Sequence, residues 1–359
     1  MFAWLAYYSK MNIVRSRGST QSAQDAVLAA KLDFLGRPGT YPEAPARVEA
    51  VETHMSWVFF TATHVYKLKK PVRYPYLDFS TVETRRLNCE QEVRLNRRLA
   101  ADVYLGVIAL VRDAAGRLCL DGTGEPVDWL VQMRRLPAQR MLDQLLRSDA
   151  VEQAEIFQLA RRLARFYAEA AAEAITPEAY RQALAGRIED NLRELGSPEF
   201  GLDPDQMQRL AGLQLSFLQR HADLFDARVR QHRIIEGHGD LRPEHVCLLA
   251  QPVVIDCLEF NREFRILDVV DELGYLALEC ERLHAPQVGR WLLESYREAS
   301  GDAPPDPLIH FYQSCRAVLR AKLAVWHLRD DGRHPPGRWL ATARDYLDLA
   351  QRHADAAGS

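Results

Sequence analysis

Two aspartates flank a short apolar stretch in the second half of the chain. Asp240 precedes one apolar run at 246–249, and Asp256 follows a second run at 253–255. Two such runs, separated by a short turn, predict a β-hairpin. An acid at each open end of a hairpin would bring the two carboxylates to within about 5 to 8 Å of each other. Converging carboxylates suit a metal–phosphate group, or a general base beside a metal ligand.

Lysines are concentrated in a second β-rich stretch, near the start of the chain. Runs at 56–61 and 64–69 are rich in β-branched and aromatic residues, and the tight connection between them predicts another hairpin. Lys67 and Lys69 share one face of its second strand, and Lys70 lies on the other. Because lysine is depleted in strands, three lysines within four residues indicate either an exposed, charged edge or a functional site.

A helix is predicted over 80–99, directly after this β-rich stretch. Ser80 is the expected N-cap, with an acid three residues later in a capping-box pattern. Glu92 lies next to the apolar face of this helix. Its spacing alone favours a solvated side chain that pairs with Asn96 or Arg85.

The elements around these residues predict an α+β protein. Further strands at 104–111 and 127–133 make 41–134 a mainly β domain with one inserted helix, preceded by an N-terminal extension over 1–40. Within that extension we expect residues 1–22 to be loose and a helix over 24–35. Helical periodicity dominates 135–359, at 151–171, 177–195, 204–229, 268–283, 287–299, 305–328 and 338–354.

Composition excludes several classes of function. The formal net charge is −3 and no run of basic residues occurs, so a nucleic-acid partner is not expected. The six cysteines are scattered without a C-x-x-C pair, which favours a reducing compartment and hence the cytoplasm. No apolar run reaches the ~20 residues that a membrane span needs, and the N-terminus lacks a signal-peptide pattern.

The motifs together resemble a known family. The run HGDLRPEH at 238–245, followed by VID at 254–256, is similar to the aminoglycoside phosphotransferase and choline kinase group. That group has a protein-kinase-like fold, with an H-G-D-x-x-x-x-N loop and a second aspartate after the next strand. The wider context, including ETHMSWVFF, YKLKKPV and CEQEVRLNRRL, resembles an uncharacterised bacterial subfamily, and the resemblance covers residues 45–330. It implies two lobes, a small β-rich N-lobe and a large helical C-lobe.

The resemblance also assigns roles in the predicted hairpin. Asp240 would be the catalytic base for a substrate hydroxyl, and Asp256 the ligand of the metal that bridges the β- and γ-phosphates. Arg242 would stabilise charge on the transferred phosphoryl group, unless it forms only an ion pair with Glu244.

In the N-lobe the resemblance assigns nucleotide contacts. Lys67 would hold the α- and β-phosphates, with Lys69 as a competitor on the same strand face, and Glu92 would pair with the lysine. Gln132 and Met133 would lie beside the adenine, where backbone groups usually read the base.

Two positions depart from the family pattern. His245 stands where an asparagine would supply a metal ligand. Since imidazole suits Mn²⁺ better than Mg²⁺, the metal site would be weak, or would use Mn²⁺, or His245 would only hydrogen-bond Asp240. The turn at 61–64 contains no glycine, so no glycine-rich phosphate loop is present there.

The expected activity is transfer of the γ-phosphate of ATP or GTP, with Mg²⁺ or Mn²⁺, to a hydroxyl of a small molecule. Eight acids against three basic residues at 256–282 would fit a cationic acceptor, but Asp268, Asp271 and Glu272 fall at a helix N-terminus, where the helix dipole favours acids, and this is the stronger explanation. Two alternatives remain: a pseudokinase or nucleotide-sensing module, and a protein kinase or nucleotidyl transferase on the same fold. Some family members carry a P-loop ATPase domain. This sequence contains no G-x-x-x-x-G-K-[ST] motif, so that domain is not expected here.

Overall fold

The computed structural model describes residues 19–74, 77–329 and 336–358. Most of the stretch expected to be loose, residues 1–18, lies outside the described residues. The described residues form two compact units. The first contains residues up to 137 together with 255–261, and the second contains 138–254 together with the residues from 262 onward.

The first unit is built on a six-stranded antiparallel sheet. Its strand order is β1-β2-β3-β8-β6-β7, and β4 and β5 form a separate two-stranded pair. In chain order its elements are α1 (Ser19–Leu35), β1 (Glu49–Glu52), β2 (Ser56–Phe60), β3 (His64–Lys69), β4 (Arg73–Tyr74), β5 (Leu77–Asp78), α2 (Val82–Ala100), β6 (Tyr104–Arg112), β7 (Leu118–Leu120) and β8 (Glu125–Arg134). The predicted hairpin β2–β3 and the predicted strands β6 and β8 are confirmed.

The register of the sheet separates two faces. Lys67 pairs with Val131 of β8, whereas Tyr66 pairs with Gln132, so Lys67 and Gln132 lie on opposite faces. The Tyr66 face is covered by α1 and the segment after it, which contribute the buried Leu35 and Tyr41 to an apolar core. The other face carries the two lysines of β3.

Helix α1 is also tied to the sheet by buried charges. Lys31 donates to Asp128 of β8 at 2.7 Å. Arg85 of α2 donates to both oxygens of the same carboxylate, at 2.7 and 3.0 Å. All three residues are buried, and a buried charge is stable only when it is paired. Asp128 therefore connects α1, β8 and α2.

The N-terminus of α2 differs from the prediction. The N-cap is Thr81 rather than Ser80, and its capping-box partner is Thr84 rather than Glu83. The hydroxyl and amide of Ser80 both donate to Asp78 instead. This local turn holds Ser80 outside the helix and moves the cap by one residue.

The second unit is mainly helical, as predicted. Its elements are α3 (Leu142–Arg147), α4 (Gln153–Glu169), α5 (Pro177–Leu195), α6 (Pro204–Arg220), α7 (Ala222–Arg230), β9 (Ile234–Glu236), β10 (Val246–Cys247), β11 (Val253–Val254), β12 (Ile266–Asp268), α8 (Val269–Arg282), α9 (Pro286–Ser300), α10 (Asp306–Trp326) and α11 (Pro336–Gly358). The hairpin at the centre of the sequence analysis is present as β10–β11, with strands shorter than expected. The apolar core of the second unit is formed by side chains of α5, α6, α7 and α10 around Phe225 and Phe311.

Two predictions for this unit were wrong. The single helix expected over 204–229 is divided at His221, whose φ and ψ of −114° and 32° leave the helix. The hairpin was expected to supply the only strands of this region, but β9 and β12 form a second antiparallel pair. Each of these strands has only three residues, which is too short to show a recognisable alternation of polar and apolar residues. Each also pairs with a partner that is distant in sequence, so no local turn indicates the pairing.

The architecture is therefore α+β, with an antiparallel sheet before a mainly helical region. Within the part of the chain that the structure describes, no helix is both long and apolar enough to span a membrane.

Candidate functional site

Two lysines of β3 share one glutamate of α2. Lys67 Nζ lies 2.9 Å from Glu92 Oε1, and Lys69 Nζ lies 2.5 Å from Glu92 Oε2. The Glu92 side chain is completely buried, whereas that of Lys67 is 12% exposed and that of Lys69 only 1%. The solvated position that spacing alone favoured for Glu92 is therefore wrong, and Lys67 is the more accessible of the two lysines.

Each lysine has a second carboxylate partner in the segment 255–261. Lys67 Nζ lies 3.1 Å from Asp256 Oδ1, and Lys69 Nζ lies 2.7 Å from Glu259 Oε1. The side chain of Asp256 is 29% exposed, so this carboxylate is the one that solvent or a ligand reaches most easily. Lys69 also lies over the ring of Phe79, at 5.2 Å from its centroid.

The pKa values in this cluster follow from its pairing. Burial by itself would lower the pKa of Lys67, but the carboxylates of Asp256 and Glu92 outweigh it and raise that pKa well above the usual value. Burial would raise the pKa of Glu92, but Lys67 and Lys69 bring it below the usual value. Lys67 and Glu92 are therefore both charged at neutral pH.

Asp240 lies in the second unit, in the loop between β9 and β10. It is buried, and its Oδ1 accepts a hydrogen bond of 2.7 Å from Arg242 Nε. The Arg242 side chain is completely buried, and its Nη1 lies 3.7 Å from Glu244 Oε2. Arg242 therefore holds the aspartate from within the loop rather than from the surface.

His245 contacts the same aspartate through both main chain and side chain. Its Nδ1 lies 2.9 Å from the carbonyl oxygen of Asp240 and 3.3 Å from its Oδ2. Its Nε2 lies 3.3 Å from Arg242 Nη2. Because a carbonyl only accepts, Nδ1 carries the proton, and Nε2 of the neutral ring then accepts from the guanidinium. Both ring nitrogens are thus used within the loop.

A glutamate of α8 binds the backbone at the start of this loop. Glu272 Oε1 accepts hydrogen bonds from the backbone N–H groups of His238 and Gly239, at 2.8 and 2.6 Å. Burial raises the pKa of Glu272, although these donors oppose the shift. A Cβ atom at Gly237 would lie 3.0 Å from both carboxylate oxygens, so a larger residue there would displace the Glu272 side chain.

The structure brings the predicted residues together in two groups. Lys67, Lys69, Glu92 and Asp256 meet in the first unit, and Asp240, Arg242 and His245 meet in the second. Since Asp240 and Asp256 belong to different units, their expected proximity stays a prediction.

The two residues predicted beside the adenine lie on different faces of β8. Met133 pairs with Val65 and so shares the sheet face of Lys67. Gln132 lies on the opposite face, where its amide is 3.4 Å from the hydroxyl of Tyr66. A contact from Gln132 to a ligand on the lysine face would therefore use its backbone, as the sequence analysis expected.

Comparison with known sequences finds relatives of unassigned function. Uncharacterised proteins of Mycobacterium tuberculosis and Mycobacterium bovis are 34% identical to this chain over 279 residues, 77% of its length. The chain spans about half the length of these curated relatives, 54%. No family model matches the chain.

Solved structures identify the fold. Choline kinase LicA from Streptococcus pneumoniae matches with a TM-score of 0.54 and 14% identity, over 93% of this chain and 99% of that one. The chain has the fold of the choline kinases. An ethanolamine kinase from Plasmodium vivax matches with a TM-score of 0.50 at 8% identity, covering 94% and 97% of the two chains. The protein-kinase-like fold expected from the motifs is thus confirmed.

Within this choline kinase fold, the acidic stretch at 256–282 is largely explained by internal contacts. Asp268 caps α8 by accepting from the amide of Val270, and it also binds Arg228. Asp271 pairs with Arg316 at 2.7 Å. Asp256, Glu259 and Glu272 have the partners described above, and Glu279 and Glu281 bind Tyr346 and His353. These contacts account for seven of the eight acids without a cationic acceptor.

Several residues of the site escaped the sequence analysis. Glu259, Tyr104 and Asn96 contact the lysines or the segment of Asp256, and Glu272 supports the Asp240 loop. Only Glu259 carried a signal, because it lies three residues after Asp256 in the motif. The others act through contacts between elements far apart in sequence.

Proposed function

We propose that the chain is a phosphotransferase that moves the γ-phosphate of ATP or GTP to a hydroxyl group of a small molecule. The observation that carries this proposal is the buried Lys67–Glu92 pair, with Asp256 at 3.1 Å from the same lysine. A strand lysine paired with a helix glutamate beside a metal-binding aspartate is the arrangement that phosphoryl transfer requires in kinases.

In this proposal the residues of the first unit bind the nucleotide. Lys67, held by Glu92 and partly exposed, contacts the phosphates. Lys69 is too deeply buried for that role and instead neutralises Glu92 and Glu259. The backbone near Met133, on the same sheet face, contacts the base.

Asp256 would bind the metal ion. Among the described residues, no three His, Cys, Asp or Glu side chains are grouped so as to hold a metal by themselves. An accessible carboxylate still fits Mg²⁺, which usually takes one or two protein carboxylates and completes its shell with phosphate oxygens and water. The bound ion would neutralise charge on the β- and γ-phosphates.

Asp240 would accept the proton of the acceptor hydroxyl, and Arg242 and His245 would keep it in place. Ligation of a metal by His245 would require it to give up its contacts with Asp240 or Arg242. We therefore propose that His245 acts through hydrogen bonds. Proteins of the same fold support the nucleotide and the acceptor class: LicA, a choline kinase, has been solved in complex with AMP, and another match is an ethanolamine kinase.

One observation favours a second candidate, a nucleotide-sensing module with little turnover. Asp240 is 1% exposed, and two side chains bind its carboxylate. A base that remained in this state would accept a substrate proton slowly.

Phosphate transfer from γ-labelled ATP to a panel of hydroxylated metabolites tests the proposal. We expect transfer with Mg²⁺ or Mn²⁺, and a loss of about 10²-fold or more in Asp240→Asn and Asp256→Asn. Asp190→Asn is the matched control, because that side chain is 64% exposed and distant in sequence from the motifs. Wild-type rates in Asp240→Asn would contradict the proposal. A melting temperature raised by nucleotide without any transfer would favour the sensing module.

A further inference from the structure

The backbone at Asp256 has an unusual conformation. Its φ is +60°, in the left-handed region that residues other than glycine seldom adopt. Such a conformation is strained for a residue other than glycine and persists only where surrounding contacts hold it. The following residue, Cys257, is buried, so the chain cannot relax there into solvent.

The amide of Asp256 is held by a tyrosine from the sheet. Its N–H donates to the hydroxyl oxygen of Tyr104, the first residue of β6, at 3.1 Å. Tyr104 is 1% exposed. Burial, together with the nearby carboxylates of Glu92 and Asp256, raises the pKa of Tyr104 well above its usual value, so the hydroxyl stays neutral.

The next amide is held by an asparagine of α2. The N–H of Cys257 donates to Asn96 Oδ1 at 2.8 Å. Asn96 Nδ2 in turn donates to the backbone carbonyl of Glu92 at 2.9 Å, one helical turn earlier. One side chain thus links the peptide after Asp256 to the helix that carries the glutamate partner of Lys67.

We propose that Tyr104 and Asn96 are positioning residues that clamp the peptide of Asp256 and so fix its metal-binding carboxylate beside Lys67. The proposal rests on the function proposed above. Two consecutive amides are bound by side chains from β6 and α2, so the distance between Asp256 and the Lys67–Glu92 pair is set within the first unit. Loss of either acceptor removes one of the two hydrogen bonds that hold this peptide, and Asp256 can then leave the left-handed conformation more easily.

Tyr104→Phe and Asn96→Leu remove one acceptor each. The measurement is the dissociation constant for ATP, with Mg²⁺ and with a chelator. We expect the gain in affinity due to the metal to fall by roughly tenfold in both variants, as for other residues that orient a metal ligand. Affinity without metal should be unchanged.

Tyr66→Phe is the matched control. Tyr66 is also 1% exposed and its hydroxyl also has partners, at 3.3 Å from Glu43 and 3.4 Å from Gln132. It lies on the opposite face of the sheet from Lys67. The control should lower the melting temperature without changing the metal-dependent gain in ATP affinity. An equal change in all three variants would overturn the proposal.

Amide hydrogen exchange of residues 255–258 tests the clamp without any nucleotide. Exchange should become faster in Tyr104→Phe and Asn96→Leu and stay unchanged in Tyr66→Phe. Unchanged exchange in the first two variants would overturn the clamp, whatever the nucleotide affinities. If exchange becomes faster but the wild type binds no nucleotide with either metal, the proposed function and the metal-positioning role fail, while the hydrogen bonds stand.

Discussion

At the scale of single residues, the two lysines that pair with Glu92 differ in how accessible they are to solvent. Three carboxylates, of Glu92, Asp256 and Glu259, face the two ammonium groups of Lys67 and Lys69. The excess negative charge is compatible with the arrival of a cation. Lys69 is enclosed and neutralises the acids, whereas Lys67 keeps part of its surface accessible.

The two lysines should therefore respond differently to removal. Lys69→Met removes the most deeply buried cation beside Glu92 and Glu259, and we expect a loss of about 3 to 5 kcal/mol in the free energy of unfolding. Lys67→Met should cost less stability, because that side chain and its partner Asp256 are partly exposed, but it should abolish ATP binding. Urea unfolding and calorimetric titration with ATP measure the two effects. Loss of ATP binding in a stable Lys69→Met protein would reverse the assignment.

His245 presents a second prediction at this scale. If it acts only through its bonds to Asp240 and Arg242, His245→Asn should lower the rate of phosphate transfer and leave the preference between Mg²⁺ and Mn²⁺ unchanged. The rates of both proteins with each metal provide the measurement. A shift of the variant from Mn²⁺ towards Mg²⁺ would show instead that His245 binds the metal, because an amide oxygen suits Mg²⁺ better than imidazole does.

At the scale of elements, α8 organises the second unit. Its first turn supports the Asp240 loop through Glu272, and its last turn meets α11. There, His353 of α11 lies 3.0 Å from Glu281 of α8 and 3.0 Å from His310 of α10. Gln313 faces the same ring of His310 at 3.2 Å.

The packing of α11 should consequently weaken in mild acid. Burial, together with His353, lowers the pKa of His310 below its usual value of 6.5. A depressed histidine pKa adds stability that is present above the unfolded value and is lost as the pH falls through the folded one. The hydrogen bond from His353 also lowers the pKa of Glu281 below its usual value of 4.5. The stability that this carboxylate contributes is therefore lost only at a pH below about 4.5. Between pH 7.5 and about 5.5, the change in stability therefore reflects the histidine and not this carboxylate.

We expect the melting temperature of the wild type to fall between these two pH values, and the fall to be smaller in His310→Gln. His232→Asn is the control, because His232 is exposed and asparagine tolerates its positive φ of 57°. A fall of equal size in wild type and His310→Gln would exclude His310 as the source.

At the scale of the whole molecule, the chain has a choline kinase fold although its sequence identity to the solved structures with this fold is low, 14% for LicA. What the chain has in common with them is the fold: an N-terminal antiparallel sheet followed by a mainly helical region. Helix α1 completes the core on the sheet face opposite the lysines.

Elements with a strong local pattern were predictable. The hairpin β2–β3 and most helices of the second unit were located within a few residues, because side-chain periodicity is local information. The N-cap at Thr81, the division at His221 and the pair β9–β12 were missed. The N-cap depends on the turn of Ser80 onto Asp78, and β9–β12 depends on pairing between segments that are distant in sequence.

The sequence by itself determined the kind of fold and the residue types of the site, because the motif residues stand at fixed places in their local elements. The tertiary structure alone decided their partners. It placed Glu92 between two lysines, made Lys69 the enclosed one, and directed both ring nitrogens of His245 into the loop. It also supplied Tyr104 and Asn96, whose bonds to Asp256 and Cys257 join residues more than 150 positions apart. Such pairings depend on packing between distant elements, which no local spacing encodes.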